Sequence, residues 1–359
     1  MPTHIGIGLF TGQVPPGSGR TIAEEYADTL ALGRLAEEVG FDSVWVSEHH
    51  GASDGYLPSL LPMLAALAAV TDRVQLGTGV LLVPFHDPLR LAEDAAVVDQ
   101  ISNGRLILGL GLGWREEEFR MWGVPVGERL RRTTETVEVL RRAWTGERFT
   151  FEGRHFRYDR VLVTPAPARP GGPPVYLGGF AEPAVRRAGR LGDGYIRSRS
   201  GLEGSRRSLT WAEDGARAAG KDPASLGFAL LQNAFVARGE DAWALVRDAA
   251  AHQLGTYEGW RLEGDTPDGT MRVVPPDEAT LRALTPAGEP EQVLAALTPI
   301  VEAFGGRREL HLIVRLHYPG MGRETSARAI ELFAGAVLPE LRAAAATAER
   351  GLDTEPASE

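Results

Sequence analysis

Short apolar, β-branched runs alternate along the chain with longer segments whose apolar residues recur at helical spacing. The runs predict strands at 4–10 (HIGIGLF), 43–49 (SVWVSEH), 74–82, 106–112 (LILGLGL), 174–179, 194–198, 228–237 and 310–316 (LHLIVRL). Helices are predicted between them at about 21–39, 58–70, 88–101, 127–145, 182–191, 203–220, 240–254 and 323–344. Eight strands and eight helices in alternation indicate an α/β fold, a parallel (β/α)8 TIM barrel. The punctuation agrees: "AEEVGFDSVWV" and "RLGDGYI" each place a helix-ending glycine just before a strand.

Two insertions interrupt the rhythm. Residues 146–173 hold two strand-like runs around Glu152-Gly153 and then a Pro/Gly linker, which predicts a hairpin beside the barrel. Residues 256–290 are rich in Gly, Pro, Asp and Thr with little periodicity, and in a barrel such a segment is expected to cover the site. The organisation read from this is one domain, 1–345, followed by a flexible tail, 346–359.

Composition narrows the partners. The net charge is −10, and the Arg-dense stretch 127–144 alternates sign at helical spacing, so it reads as a solvated helix face and no nucleic acid is expected. No cysteine is present, which excludes disulfides, thiolate metal sites and cysteine nucleophiles. No apolar run approaches the roughly 18 residues of a membrane span, and no basic segment precedes an apolar one at the N-terminus. A cytoplasmic protein without membrane contact is the expectation.

Barrel enzymes carry their chemistry at the carboxyl ends of the strands. There the second strand ends in Glu48-His49-His50. Alternation along a strand sends Trp45, Ser47 and His49 one way and Glu48 and His50 the other. Adjacent histidines chelate poorly, and neither an H-x-H pair nor an HExxH helix is present, so no metal is expected. Glu48 has no evident carboxylate partner at another strand end, which disfavours glycoside hydrolysis. Glycines in "LGTGV", "LGLGLGW" and "YLGGF" leave bare backbone at three consecutive strand ends, suited either to barrel packing or to close approach of a flat ligand.

The segments "GFDSVWVSEHH" (40–50), "VQLGTGVLLVPFHDPLRLAEDAAVVDQISNGRLILGLGLGWREEEFRMWGVP" (74–125) and "PPVYLGGFAEPAVRRAGRLGDGYI" (173–196) resemble the bacterial luciferase-like flavin-dependent monooxygenase family. The resemblance implies an enzyme that binds reduced FMN at the barrel mouth, supplied by a separate flavin reductase, and uses O2 to oxidise a small organic substrate. It makes His49 the catalytic residue, with His50 structural. It places a non-proline cis bond at Gly79-Val80 under the cofactor ring, with Gly111 and Trp114 beside it. It assigns phosphate contacts to Gly178, Gly179, Phe180 and Ala181, with Arg197 or Arg199 compensating for Glu182. Leu112 stands where luciferases carry arginine. The same features suit a dehydrogenase that transfers hydride to or from a deazaflavin (coenzyme F-420), and a silent flavin-binding barrel is a third reading. A homodimer is implied, with Leu60, Leu61 and Met63 at its face. Phe10, Trp45, Phe85, Trp114 and Trp122 suggest an apolar guest, whose identity the residues leave open.

Overall fold

The computed structural model describes residues 1–198, 201–262, 272–306 and 308–353. Arg199 and part of the expected cover, 263–271, lie outside the described residues. Eight parallel strands close a (β/α)8 barrel: β1 (Thr3–Phe10), β2 (Ser43–Val46), β3 (Gln75–Thr78), β4 (Leu106–Gly111), β5 (Val175–Gly178), β6 (Gly194–Ser198), β7 (Gly227–Asn233) and β8 (Leu310–Arg315). They pair in the circuit β3-β2-β1-β8-β7-β6-β5-β4, and β3 also pairs with β4 to shut it.

Alternation along the strands sorts the apolar residues into two layers. Trp45, Ile107, Tyr176, Ile196, Leu231 and Ile313 fill the barrel, while a larger cluster packs the outer strand faces against the helices. Glycine makes room for the largest of these side chains. A Cβ at Gly77 would lie 2.1 Å from the Trp45 indole, so the bulk on β2 occupies the place a side chain on β3 would need.

Several elements differ from the sequence reading, each for a local reason. The second strand ends at Val46; the Ser47 amide still bonds Phe10 O of β1, but the His49 amide turns to Leu57 O in the following loop. The third is interrupted at Gly79-Val80, which is cis, and resumes at Leu81–Leu82; Gly8-Leu9 is cis as well. The expected hairpin is present as Phe149–Glu152 paired antiparallel with Arg157–Val161. Residues 256–262, expected in an irregular cover, instead finish a helix, Ala242–Leu262. A helix not foreseen, Pro290–Phe304, starts at a proline, which suits the first helical position, and contains Pro299, which reads as a breaker. Its Val293, Leu297, Ile300, Val301 and Phe304 nonetheless form a buried helical stripe. The helix Leu338–Asp353 runs through 346–353, where a flexible tail was expected, and Glu349 pairs with the N-terminal amine at 2.7 Å. Leu60, Leu61 and Met63, expected at a dimer face, are buried in the chain's own core. Among the described residues no helix is long and apolar enough to cross a membrane.

Candidate active site

The loop after β2, the segment after β4 and the helix Ala242–Leu262 after β7 converge on His49. Its ring is buried against Tyr56, Tyr257 and Trp260, at centroid distances of 4.9, 5.4 and 4.7 Å, with Trp114 at 6.2 Å on the rim. Nδ1 of His49 lies 2.8 Å from Oε1 of Glu118, a buried carboxylate in the short helix Glu116–Met121 that follows β4. The same oxygen accepts the His50 amide at 2.9 Å, which fixes the carboxylate behind the imidazole. Arg115 donates to His50 O at 2.6 Å and lays its guanidinium 4.5 Å from the centroid of Trp260.

His50 turns away from His49 and bonds Glu48 Oε1 at 2.7 Å beside Phe85 and Trp122. Burial alone would push the Glu48 carboxyl up, but bonding to His50 and to nearby His86 outweighs it and holds the group below the ordinary carboxylate range. Glu48 is thus an anion that anchors His50.

Hydroxyl and amide groups complete the enclosed half of the mouth. Tyr56 donates to Ser47 Oγ at 3.1 Å and lies 2.7 Å from the Tyr257 hydroxyl. Burial and the neighbouring Tyr257 push the Tyr56 phenol well up, with Arg315 opposing, so it stays an O–H donor. Asn233 and Arg315 are buried at the ends of β7 and β8, and both amide atoms of Asn233 and Nε and Nη1 of Arg315 lack a partner in the protein. Buried polar atoms in this state are suited to a polar ligand.

The other half of the mouth is more open. Gly79, Val80, Gly178 and Gly179 are partly exposed and Phe180 is 64% exposed. A Cβ at Gly178 would stand 3.4 Å from Val80 Cγ1, and one at Gly111 would strike Val80 Cγ2 at 2.4 Å, so Val80 is a ledge flanked by two bare backbones. Ala181 caps the helix Glu182–Leu191, whose N-terminus opens at the mouth, and Arg197 lies 5.7 Å from the Phe180 ring while bonding Tyr195 and Ser208. A flat tricyclic ring on Val80 with a phosphate toward 179–181 fits these residues. Glu182, which stands beside that position, is paired with Arg186 at 2.7 Å.

The model for luciferase-like monooxygenases matches residues 4–308. The chain belongs to that family. A luciferase-like relative from Amycolatopsis mediterranei, an F420-dependent glucose-6-phosphate dehydrogenase, is 31% identical over 89% of this chain and 97% of its own length. The protein of the same name from Nakamurella multipartita is 38% identical, but the match spans 48% of this chain and about half, 53%, of that protein. Among solved structures, the monooxygenase RslO1 from Streptomyces bottropensis superposes with a TM-score of 0.79 at 29% identity, covering 94% of this chain and 99% of its own. The luciferase-like fold and an oxidoreductase activity follow; the relatives divide between F420-dependent dehydrogenases and a monooxygenase.

The structure gathers the sequence candidates of this family member into two groups: His49 and Trp114 at the enclosed half, and Gly79, Val80, Gly111, Gly178, Gly179, Phe180, Ala181 and Arg197 at the open half. Sequence reasoning missed Glu118, Tyr56, Tyr257, Trp260, Asn233 and Arg315. Arg315 had a signal, a charge at an inward position of the apolar run "LHLIVRL". Tyr56 in its loop had none.

Proposed function

We propose that this family member is a deazaflavin-dependent dehydrogenase acting on the alcohol or hemiacetal carbon of a small polar substrate. The carrying observation is the buried His49–Glu118 pair. With Nδ1–H donating to Glu118, Nε2 keeps its lone pair and accepts the substrate hydroxyl proton, while the fixed carboxylate stabilises the imidazolium that results. Bound deazaflavin supplies a two-electron hydride acceptor. Asn233, Arg315 and the Tyr56 hydroxyl offer the polar groups that orient the substrate, and Tyr257 and Trp260 exclude water. The dehydrogenases among the relatives support this reading over the FMN monooxygenase that the sequence suggested first. RslO1 favours that second reading, in which a flavin reductase is also needed.

The test is anaerobic bleaching of added deazaflavin by glucose 6-phosphate and by a panel of secondary alcohols. Substrate-dependent bleaching is the expected outcome. O2 uptake with reduced FMN, and no bleaching by any of these substrates, would sink the proposal.

A further inference from the structure

The amino ends of the strands, opposite the mouth, carry a group that the activity does not use. His4 on β1 and His311 on β8 face each other in register, with rings stacked at 4.7 Å. Glu309 Oε1 lies 3.5 Å from Nε2 of each. That distance is long for a hydrogen bond, whose N···O separation runs about 2.7–3.2 Å. It matches the edge of a tetrahedron drawn by metal bonds of ~2.0–2.1 Å, which is about 3.4 Å.

His311 is completely buried, and neither ring nitrogen has a hydrogen-bond partner in the protein. A buried imidazole left this way demands an account. The second oxygen of Glu309 accepts from the Tyr176 hydroxyl at 3.3 Å, which turns Oε1 toward the two rings.

We propose that His4, Glu309 and His311 form a binding site for a borderline divalent cation of the zinc class, stapling the first barrel strand to the last. Two imidazoles and one carboxylate are a donor set that Zn2+ accepts in tetrahedral geometry, with water in the fourth position. Glu309 is 42% exposed, so the ion and its water have a route from solvent. The sequence reading expected no metal in the chain, arguing from Glu48-His49-His50; this cluster stands about 20 Å away along β1, at six residues of ~3.3 Å each.

Calorimetric titration of chelator-stripped full-length protein with Zn2+ tests it. One equivalent binds, Co2+ at the same site gives the visible absorption of a tetrahedral centre, and Zn2+ raises the melting temperature. His4→Asn and Glu309→Gln, both at partly exposed positions and checked for folding by circular dichroism, each weaken binding at least tenfold. Glu309→Gln leaves turnover unchanged, and His86→Asn, at the mouth, leaves Zn2+ binding unchanged. Absence of Zn2+ binding to the wild type, or wild-type affinity in both floor variants, or loss of binding in His86→Asn, overturns the proposal.

Discussion

In the proposed reading, two side chains separated by 69 positions in sequence, and 2.8 Å apart in the structure, make the chemistry of the mouth. His49 alone is an imidazole in an aromatic box; Glu118 decides which nitrogen carries the proton. Replacing His49 with Ala should lower kcat by about 10²–10⁴-fold, the usual worth of a positioned base. Deazaflavin affinity should change little, because Val80 and the 178–181 backbone lie in the other half of the mouth. Steady-state kinetics and a fluorescence titration separate the two effects, and a turnover within threefold of wild type would remove His49 from the mechanism. In Glu118→Gln the charge behind the imidazole is gone, the imidazolium formed as the substrate proton is taken is stabilised less, and kcat should fall about tenfold or more with KM little changed. A kcat within threefold of wild type would leave Glu118 a packing residue. His49 was legible in the sequence because an imidazole ending an apolar strand stands out. Glu118 was not, since Glu116-Glu117-Glu118 at a helix start reads as a solvated first turn until burial separates the third glutamate from the other two.

The helix Ala242–Leu262 is the element that roofs this chemistry, through Tyr257 and Trp260. Its hold on the mouth has two parts. His252 shares Asp54 with Gln13, joining the helix to the loop after β2. Gly255 and Gly259 let residues 272–274 cross its surface: Val274 N bonds Gly255 O at 2.9 Å, and a Cβ at Gly259 would sit 1.8 Å from Arg272 O. Gly259→Ala therefore cannot be absorbed by a rotamer change and should cost about 1–3 kcal/mol, read as a lower urea midpoint. Because Trp260 is the next residue, KM should rise as well; a variant with wild-type midpoint and KM would show that the crossing is not tight in solution. Sequence periodicity failed here for a physical reason. Glycine and proline usually mark irregular chain, but Gly255, Gly259 and Pro299 lie inside helices and Pro290 opens one. The eight barrel strands, whose apolar runs have no other use, were all found, though the second, third and seventh end earlier than the runs suggest.

Across the whole molecule, the contacts that join elements far apart in sequence include buried carboxylates that accept backbone N–H groups. Glu37, at the end of the first helix, accepts the amides of Asp72, Arg73 and Val74 at the start of β3. Glu135 accepts those of Arg154, His155 and Phe156, clamping the hairpin turn to the helix Arg129–Ala143. In both, burial would raise the pKa, yet the backbone donors outweigh it and hold the group below the ordinary carboxylate value. Glu48 is depressed likewise by its histidines. A depressed native pKa means that the unfolded chain binds protons first. The stability these groups give is complete above the unfolded glutamate value of about 4.3 and is lost as pH falls through their lower native values. The urea midpoint should accordingly hold near neutrality and drop steeply on the acid side of pH 4.3. Glu135→Ala, which strands three hairpin amides, should cost about 1–3 kcal/mol at pH 7. It should also flatten the acid slope, since the variant has one fewer group that releases its proton on folding. Parallel acid slopes in the two proteins, measured by denaturation at a series of pH values, would show that the Glu135 clamp does not carry its share of the linkage.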